Sequence, residues 1–184
     1  NPLAKNWSRL DNAAKIFPPT SGKADTKVFR FSCTLKEKVE PLSLQRALME
    51  TMEDFPSFRY VLKRGLFWYY LEEGDFTPAV REEDTTPCSA LYHGSSSPLF
   101  LVTYFSARVN LEVYHALTDG TGALQFLRTL VYHYLLLRHP EIARDGAPLL
   151  DYDASRNQRM DDSFDRYYSG KRRRMKAVSY THLR

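Results

Sequence analysis

One stretch, residues 108–140, restricts the folds open to this chain more than any other. Its first part alternates apolar and polar residues, the pattern of a half-buried strand, with Val109, Leu111 and Val113 as the apolar members. Continuing the alternation places His115 on the apolar face, at the end of the strand. From residue 121 the apolar residues recur at the spacing of an amphipathic helix. The stretch therefore predicts a strand, a tight turn and a long helix.

Asp119 and Gly120 lie in this predicted turn. Gly120 ends the strand because glycine accepts backbone angles that other residues avoid. Either Asp119 or Thr121 can cap the helix, since both side chains accept hydrogen bonds from N–H groups of a first helical turn. An imidazole at His115, held beside a helix N-terminus in apolar surroundings, is suited to act as a general base. The competing interpretation is a core histidine with satisfied hydrogen bonds, which is the commoner role at such a position.

The pattern His115-x-x-x-Asp119-Gly120 resembles the HxxxDG motif of the chloramphenicol-acetyltransferase-like acyltransferases. This superfamily includes the alcohol O-acetyltransferases, the plant BAHD enzymes and the condensation domains of peptide synthetases. Residues 9–14, followed by Phe17-Pro18, resemble the opening of bacterial alcohol O-acetyltransferase-like proteins, to which the resemblance is greatest. Many condensation domains carry a second histidine directly before the motif, where this chain has Tyr114.

The resemblance implies acyl transfer from acyl-coenzyme A, or from an acyl carrier protein, to a small alcohol or amine. It implies no permanently bound cofactor and no metal. It also implies that His115 is the general base and that Asp119 is structural and orients the motif loop. Gly120 would be the turn residue where a larger side chain would crowd the imidazole. Two alternatives of the same fold stay open: a condensation-domain-like protein and a catalytically silent binding module.

The periodicity predicts an α/β fold. Strands at about 28–35, 58–63, 66–71, 99–105 and 109–115 should form one mixed, largely antiparallel sheet, with a short edge strand near Val80. Helices at about 41–53 and 121–139 should pack on one face of that sheet. By resemblance, this is the N-terminal half of a two-layer sandwich.

Residues 1–168 are predicted to form one subdomain, and residues 169–184 a basic tail that is truncated or partly non-native. With 184 residues, 43% of them hydrophobic, the chain can bury a core. Members of the superfamily are more than twice as long and have their active site between two similar halves. The resemblance therefore implies a missing C-terminal half and an inactive fragment. Such a half should expose apolar surface around the motif, including some of Tyr114, Leu117 and Phe126.

Other classes of protein find little support. The net charge of +4 comes from the C-terminal part of the chain, because residues 155–184 hold nine of the 26 Lys and Arg residues and three of the 22 Asp and Glu residues. A solvated charge run is favoured there over nucleic-acid or lipid binding, although a tail that recruits nucleic acid stays a further alternative. No apolar run reaches transmembrane length and the N-terminus lacks a signal-peptide core, which predicts a cytoplasmic protein. The sequence has no Gly-x-Ser-x-Gly elbow and no His-Glu-x-x-His zinc motif.

Overall fold

The computed structural model describes residues 7–8, 26–67 and 69–141. The predictions for residues 9–14, for Phe17-Pro18, for the boundary at 168 and for the tail lie outside this part of the chain. The elements in chain order are β1 (Trp7–Ser8), β2 (Val28–Thr34), α1 (Pro41–Asp54), a 3₁₀ helix (Pro56–Arg59), β3 (Tyr60–Arg64), β4 (Tyr69–Glu73), β5 (Arg81–Glu82), β6 (Phe100–Phe105), β7 (Arg108–Tyr114) and α2 (Gly120–Arg138).

The strands form two sheets. One has the order β1-β4-β3 and is antiparallel throughout; the other has the order β2-β7-β6-β5, with only β5 parallel to its neighbour. The predicted α/β class with a mixed, largely antiparallel sheet is confirmed, but the prediction of a single sheet is wrong. The edge of β6 where the β3–β4 hairpin would add is taken by β5, and the hairpin meets this edge only through an isolated bridge between Val61 and Pro98.

Both long helices form within one residue of their predicted bounds. Helix α1 begins at Pro41, and the Glu40 carboxylate caps it by accepting from the N–H groups of Leu42 (3.1 Å) and Ser43 (2.6 Å). The two helices pack against each other, and α2 lies against β2 and β7. His133 of α2 joins the helices through Nε2, which lies 3.0 Å from the Asp54 carboxylate. No helix among the described residues is both long and apolar enough to cross a bilayer.

The core is closed around a group of aromatic rings. Phe58 stacks on Phe126 with ring centroids 3.9 Å apart, and Phe100 packs against both. The apolar surface predicted around the motif is not found: Tyr114, Leu117 and Phe126 are 1%, 9% and 0% exposed. These side chains face the interior of this chain, so they leave no apolar patch for another half to cover.

Strand β7 is buried on both faces, whereas its alternating pattern predicted a half-buried strand. The polar residues Asn110 and Glu112 are 0% and 3% exposed because the loop that follows β5 covers them. Within this loop the Glu83 carboxylate accepts hydrogen bonds from Arg30, from Arg108 (2.6 Å) and from the Asn110 amide (3.3 Å). A partly buried charged cluster thus fixes the loop on the outer face of the sheet.

Candidate active site

The predicted turn after β7 lies where three elements meet. The N–H of Leu117 donates to the carbonyl of Tyr114 at 2.9 Å, which closes a turn directly after the strand. The N–H of His115 donates to the carbonyl of Lys27 at 2.8 Å and so extends the β2–β7 pairing by one residue. Helix α2 begins five residues later at Gly120. The backbone of His115 is therefore held by β2, β7 and the start of α2.

The His115 side chain is exposed, and one face of its ring packs on Phe29 with centroids 4.4 Å apart and planes at 44°. Phe29 is the cross-strand partner of Val113 and so shares the imidazole's side of the sheet. Phe29 supplies the apolar surroundings that the alternation predicted for His115. The interpretation of His115 as a core histidine is wrong.

The surroundings of the ring hold the pKa of His115 below its ordinary value. Partial burial is the main cause, since it disfavours the charged imidazolium. The negative charge of Asp119 opposes this effect, and the positive charge of Lys27 adds to it. A lowered pKa keeps the imidazole neutral at pH 7, the form that accepts a proton.

Asp119 is the helix cap, one of the two residues predicted for that position. Its Oδ1 accepts from the N–H of Gly122 at 2.8 Å, and its backbone carbonyl accepts from Ala123 at 3.0 Å. A carboxylate here also interacts favourably with the positive end of the helix dipole. The carboxylate of Asp119 is thus bound to the start of α2, while its charge still acts on the nearby imidazole.

The glycine with a steric reason to be glycine is Gly122 and not Gly120. A Cβ at Gly120 would meet only the Phe31 ring, at an ordinary 3.8 Å, so the crowding predicted there is wrong. A Cβ at Gly122 would lie 2.2 Å from Oγ1 of Thr118 and 3.4 Å from Oδ1 of Asp119. The Thr118 side chain therefore leaves no room for a Cβ at position 122 unless it moves.

The described residues give little support for a second catalytic side chain, a cysteine nucleophile or a metal site. Tyr114, at the position of the second histidine of many condensation domains, is buried and cannot reach a substrate beside His115. Burial raises the pKa of the Cys33 thiol to about 12, so it remains protonated and is a poor nucleophile. Within the described residues no group of three or more His, Cys, Asp or Glu side chains could hold a metal ion.

Sequence reasoning missed Phe29, Lys27 and Gly122. The alternation along β2 placed Phe29 on an apolar face, but only the pairing of β2 with β7 brings it to His115. That pairing joins segments about 80 positions apart and leaves no local signal in the sequence. One local signal could have indicated the contact with Gly122: it lies three residues after Asp119, the position whose N–H group a capping side chain accepts from.

No protein-family model and no curated protein matches this chain. Solved structures do match. The starter condensation domain of rhizomide synthetase RzmA superposes with a TM-score of 0.59 at 13% identity, over 86% of this chain and 43% of that domain. The first condensation domain of the calcium-dependent antibiotic synthetase gives a TM-score of 0.57 at 15% identity, over 72% and 40%. The described fold is part of a condensation-domain fold.

The chain spans less than half the length of these condensation domains. A third structure, polyketide synthase associated protein 5 from Mycobacterium tuberculosis, has a TM-score of 0.53 at 16% identity, over 71% of this chain and 33% of that one. A variant of the RzmA domain was solved in complex with C8-CoA. The condensation-domain fold agrees with the resemblance to the chloramphenicol-acetyltransferase-like class, and it does not single out the alcohol O-acetyltransferases.

Proposed function

We propose that this chain is part of an acyltransferase that moves an acyl group from a thioester to an alcohol or an amine. The observation that carries the proposal is the position of His115, whose exposed imidazole lies at the end of β7 with one face on Phe29 and a lowered pKa. The condensation-domain fold supports the same reaction class, and a relative with this fold was solved with C8-CoA, a thioester carrier. Acyl-coenzyme A or an acyl carrier protein would be the co-substrate.

In this proposal a ring nitrogen of His115 takes the proton from the acceptor O–H or N–H as the acceptor attacks the thioester carbonyl. The tetrahedral intermediate then collapses, the C–S bond breaks, and the protonated imidazole returns the proton to the leaving thiolate. A thioester has a good leaving group, so no covalent enzyme intermediate is needed. General base catalysis of this kind is worth about 10²- to 10⁴-fold in rate.

Asp119 acts through structure in this mechanism. Its carboxylate caps α2 through Gly122, and its charge raises the pKa of His115 against the effect of burial. Gly120 starts the helix, and Gly122 leaves room for the Thr118 side chain beside the cap. We assign Asp119 the role of a positioning residue, because its described hydrogen bond is made to the start of the helix.

We further propose that residues 1–168 form one half of a two-halved enzyme, with the donor tunnel completed by a second half. The length of the matched condensation domains supports this, since the chain spans about 43% of the RzmA domain. The chain alone should then release no thiol from acetyl-coenzyme A or octanoyl-coenzyme A.

The first prediction tests the base in the longer protein. His115→Ala should lower the rate of thiol release by about 10²- to 10⁴-fold and leave the fold intact, because the side chain is exposed and carries little packing. Thiol release from acyl-coenzyme A with alcohol and amine acceptors gives the rate, and circular dichroism gives the fold. His139→Gln, which changes a histidine paired with Glu37 far along α2, is the matched control.

The acceptor that the longer protein uses, an alcohol or an amine, distinguishes between the possible functions of this fold. Turnover with small alcohols would support an alcohol O-acetyltransferase-like enzyme, and turnover with amines alone would favour a condensation-domain-like reaction, which the matched structures make the second candidate. An unchanged rate of thiol release in His115→Ala would show that the imidazole is not the general base. Binding of acyl-coenzyme A without turnover in the longer protein would indicate a silent binding module.

A further inference from the structure

A cavity of about 580 Å³ lies beside the edge of β6, and none of its lining residues belongs to the motif. Its walls are residues 100–102 of β6, the segment 77–79 before β5, and parts of the loop 85–93. Three consecutive strand residues line it, so the cavity follows the strand edge and reaches both faces of the sheet. Its volume lies within the range of about 300–1,000 Å³ typical of small-molecule sites.

The cavity exists because the chain before β5 does not pair with β6. Strand β5 pairs with β6 only through Arg81 and Glu82. Ahead of it, the side chain of Gln45 on α1 holds the chain from the helix side. Its Nε2 donates to the carbonyl of Pro78 at 2.9 Å, and its Oε1 accepts from the N–H of Val80 at 2.8 Å. These two bonds fix one wall of the cavity, which is therefore built into the fold.

Glu112 places a buried carboxylate in the wall of this cavity. The residue is 3% exposed, and both of its described contacts use Oε1, which accepts from the Cys88 N–H at 3.0 Å and lies 3.5 Å from Nε of Arg30. Oε2 has no hydrogen bond with any residue that the structure describes. Oε2 is not fully enclosed by protein atoms, so its hydrogen-bond donor has to come from solvent or from a ligand in the cavity. A ligand with an N–H group could donate this missing hydrogen bond to Oε2 of Glu112.

Arg81 supplies the opposite charge on the same side of the sheet. It lines the cavity, is exposed, and forms no ion pair within the described part of the chain. Arg81 pairs with Thr103 and Glu112 with Leu101, so their Cα atoms lie on either side of β6 at a separation of about 12 Å, given the usual strand spacings. Side chains of this length leave room between their charged groups for one small molecule carrying both a cation and an anion.

We propose that this cavity binds a free amino acid with an apolar side chain. Its ammonium group would donate to Glu112, its carboxylate would pair with Arg81, and its side chain would lie among the accessible apolar residues of the lining, such as Ala79 and Leu91. A zwitterion suits the site because a carboxylate, Glu112, and a guanidinium, Arg81, line the same cavity. This site is separate from His115 and does not depend on acyl transfer.

The test uses the purified chain and isothermal titration calorimetry with five probes. L-leucine and L-phenylalanine should bind. Glycine, N-acetyl-L-leucine and L-leucinamide should each bind about tenfold more weakly or worse, because they lack the apolar side chain, the ammonium group and the carboxylate respectively. Failure of both L-leucine and L-phenylalanine to bind, or equal binding of all five probes, would overturn the proposal.

Two variants locate the binding and avoid Glu112, whose substitution would also disturb the Cys88 N–H and one of the two carboxylates beside Arg30. Arg81→Gln should weaken the binding of L-leucine about tenfold. The binding of L-leucinamide should not change, because this probe has no carboxylate to pair with Arg81. Ala79→Phe, at an exposed wall position, should fill the cavity and abolish binding of both. Arg64→Gln, an exposed arginine at the β3–β4 hairpin, is the matched control. Unchanged L-leucine affinity in Arg81→Gln or in Ala79→Phe would show that the site is elsewhere.

Discussion

At the scale of single residues, the behaviour of His115 is set by its unequal surroundings. Phe29 covers one face of the ring, Lys27 holds the backbone through its carbonyl, and Asp119 contributes a negative charge from the helix cap. Burial and Lys27 lower the pKa of the imidazole, while Asp119 raises it, and burial has the largest effect. Each influence can be removed separately by substitution.

Phe29→Ala should raise the pKa of His115 toward its ordinary value of about 6.5, because the ring loses the neighbour that excludes water from one face. Titration followed by NMR of the histidine ring protons measures this in the chain as it stands. Phe105→Ala, which removes an exposed aromatic ring at the β6–β7 turn, should leave the pKa unchanged. An unchanged pKa in Phe29→Ala would mean that other groups desolvate the imidazole.

Asp119→Asn should lower the pKa of His115 further, because the charge that raises it is removed. The same change should cost little stability, since an asparagine oxygen can still accept from the N–H of Gly122. Asp119→Ala should lower the free energy of unfolding by about 0.5–2 kcal/mol through loss of the cap. NMR titration and urea unfolding separate the two effects, and equal destabilisation by both variants would argue against the capping role.

At the scale of elements, the sequence predicted those parts whose pattern is local. Helices α1 and α2 matched within one residue because Pro41, Asp119 and the 3.6-residue spacing all lie within the elements themselves. Strand β4 begins at Tyr69, while Leu66 and Phe67, which suggested an earlier start, lie exposed at the turn before it. Apolar residues in a turn resemble a strand until the pairing partner is known.

The features that escaped prediction depend on distant segments. The burial of Asn110 and Glu112 comes from a loop that covers them, and no alternation within β7 can report it. The division into two sheets depends on β5, a strand of two residues. At the candidate site, the motif predicted the strand, turn and helix, but Phe29 reaches His115 only through long-range pairing.

Glu83 should make the fold sensitive to acid. Hydrogen bonds from Arg30, and then from Arg108, lower the pKa of this carboxyl below its ordinary value of about 4.5. A lowered carboxyl pKa contributes stability that is present above pH 4.5 and is lost as the pH falls through the folded-state value. Glu83→Gln should therefore reduce stability at pH 7 and flatten the loss of stability below pH 4.5.

Urea unfolding between pH 7 and pH 3 measures this dependence. Glu73→Gln, at the exposed end of β4, provides the control and should keep the wild-type slope. If Glu83→Gln lost stability with the same slope as the wild type, the charged cluster on the outer face would not be the acid-sensitive part of the fold.

At the scale of the whole molecule, the large exposed apolar side chains of the described residues lie away from the motif. Leu66 and Phe67 at the tip of the β3–β4 hairpin are both 89% exposed, while Tyr114, Leu117 and Phe126 are buried. Adjacent apolar side chains projecting at a loop tip favour contact with other molecules or chains. Within the described part of the chain, the hairpin tip is therefore the surface at which we expect self-association.

The double substitution Leu66→Ser and Phe67→Ser should reduce hydrophobic-dye binding and self-association while changing the free energy of unfolding by no more than about 0.5 kcal/mol, because neither side chain packs in the core. Sizing chromatography and dye fluorescence measure the first effect, and urea unfolding measures the second. Leu42→Ser, at an exposed and isolated position on α1, is the matched control. Association that persists in the double variant would point to another surface.

The pairing of β2 with β7 sets the order in which this molecule can assemble. Ser32 and Asn110 bond across this ladder although 78 positions separate them. Closing so long a loop costs conformational entropy before the hydrogen bonds of the ladder can form. Contacts between such distant residues therefore slow folding. The β3–β4 hairpin and α1 lie inside this loop. They can form from contacts between residues close in sequence before β2 pairs with β7. The His115–Lys27 bond lies at the end of this ladder, so the histidine reaches its final position only when β2 and β7 have paired.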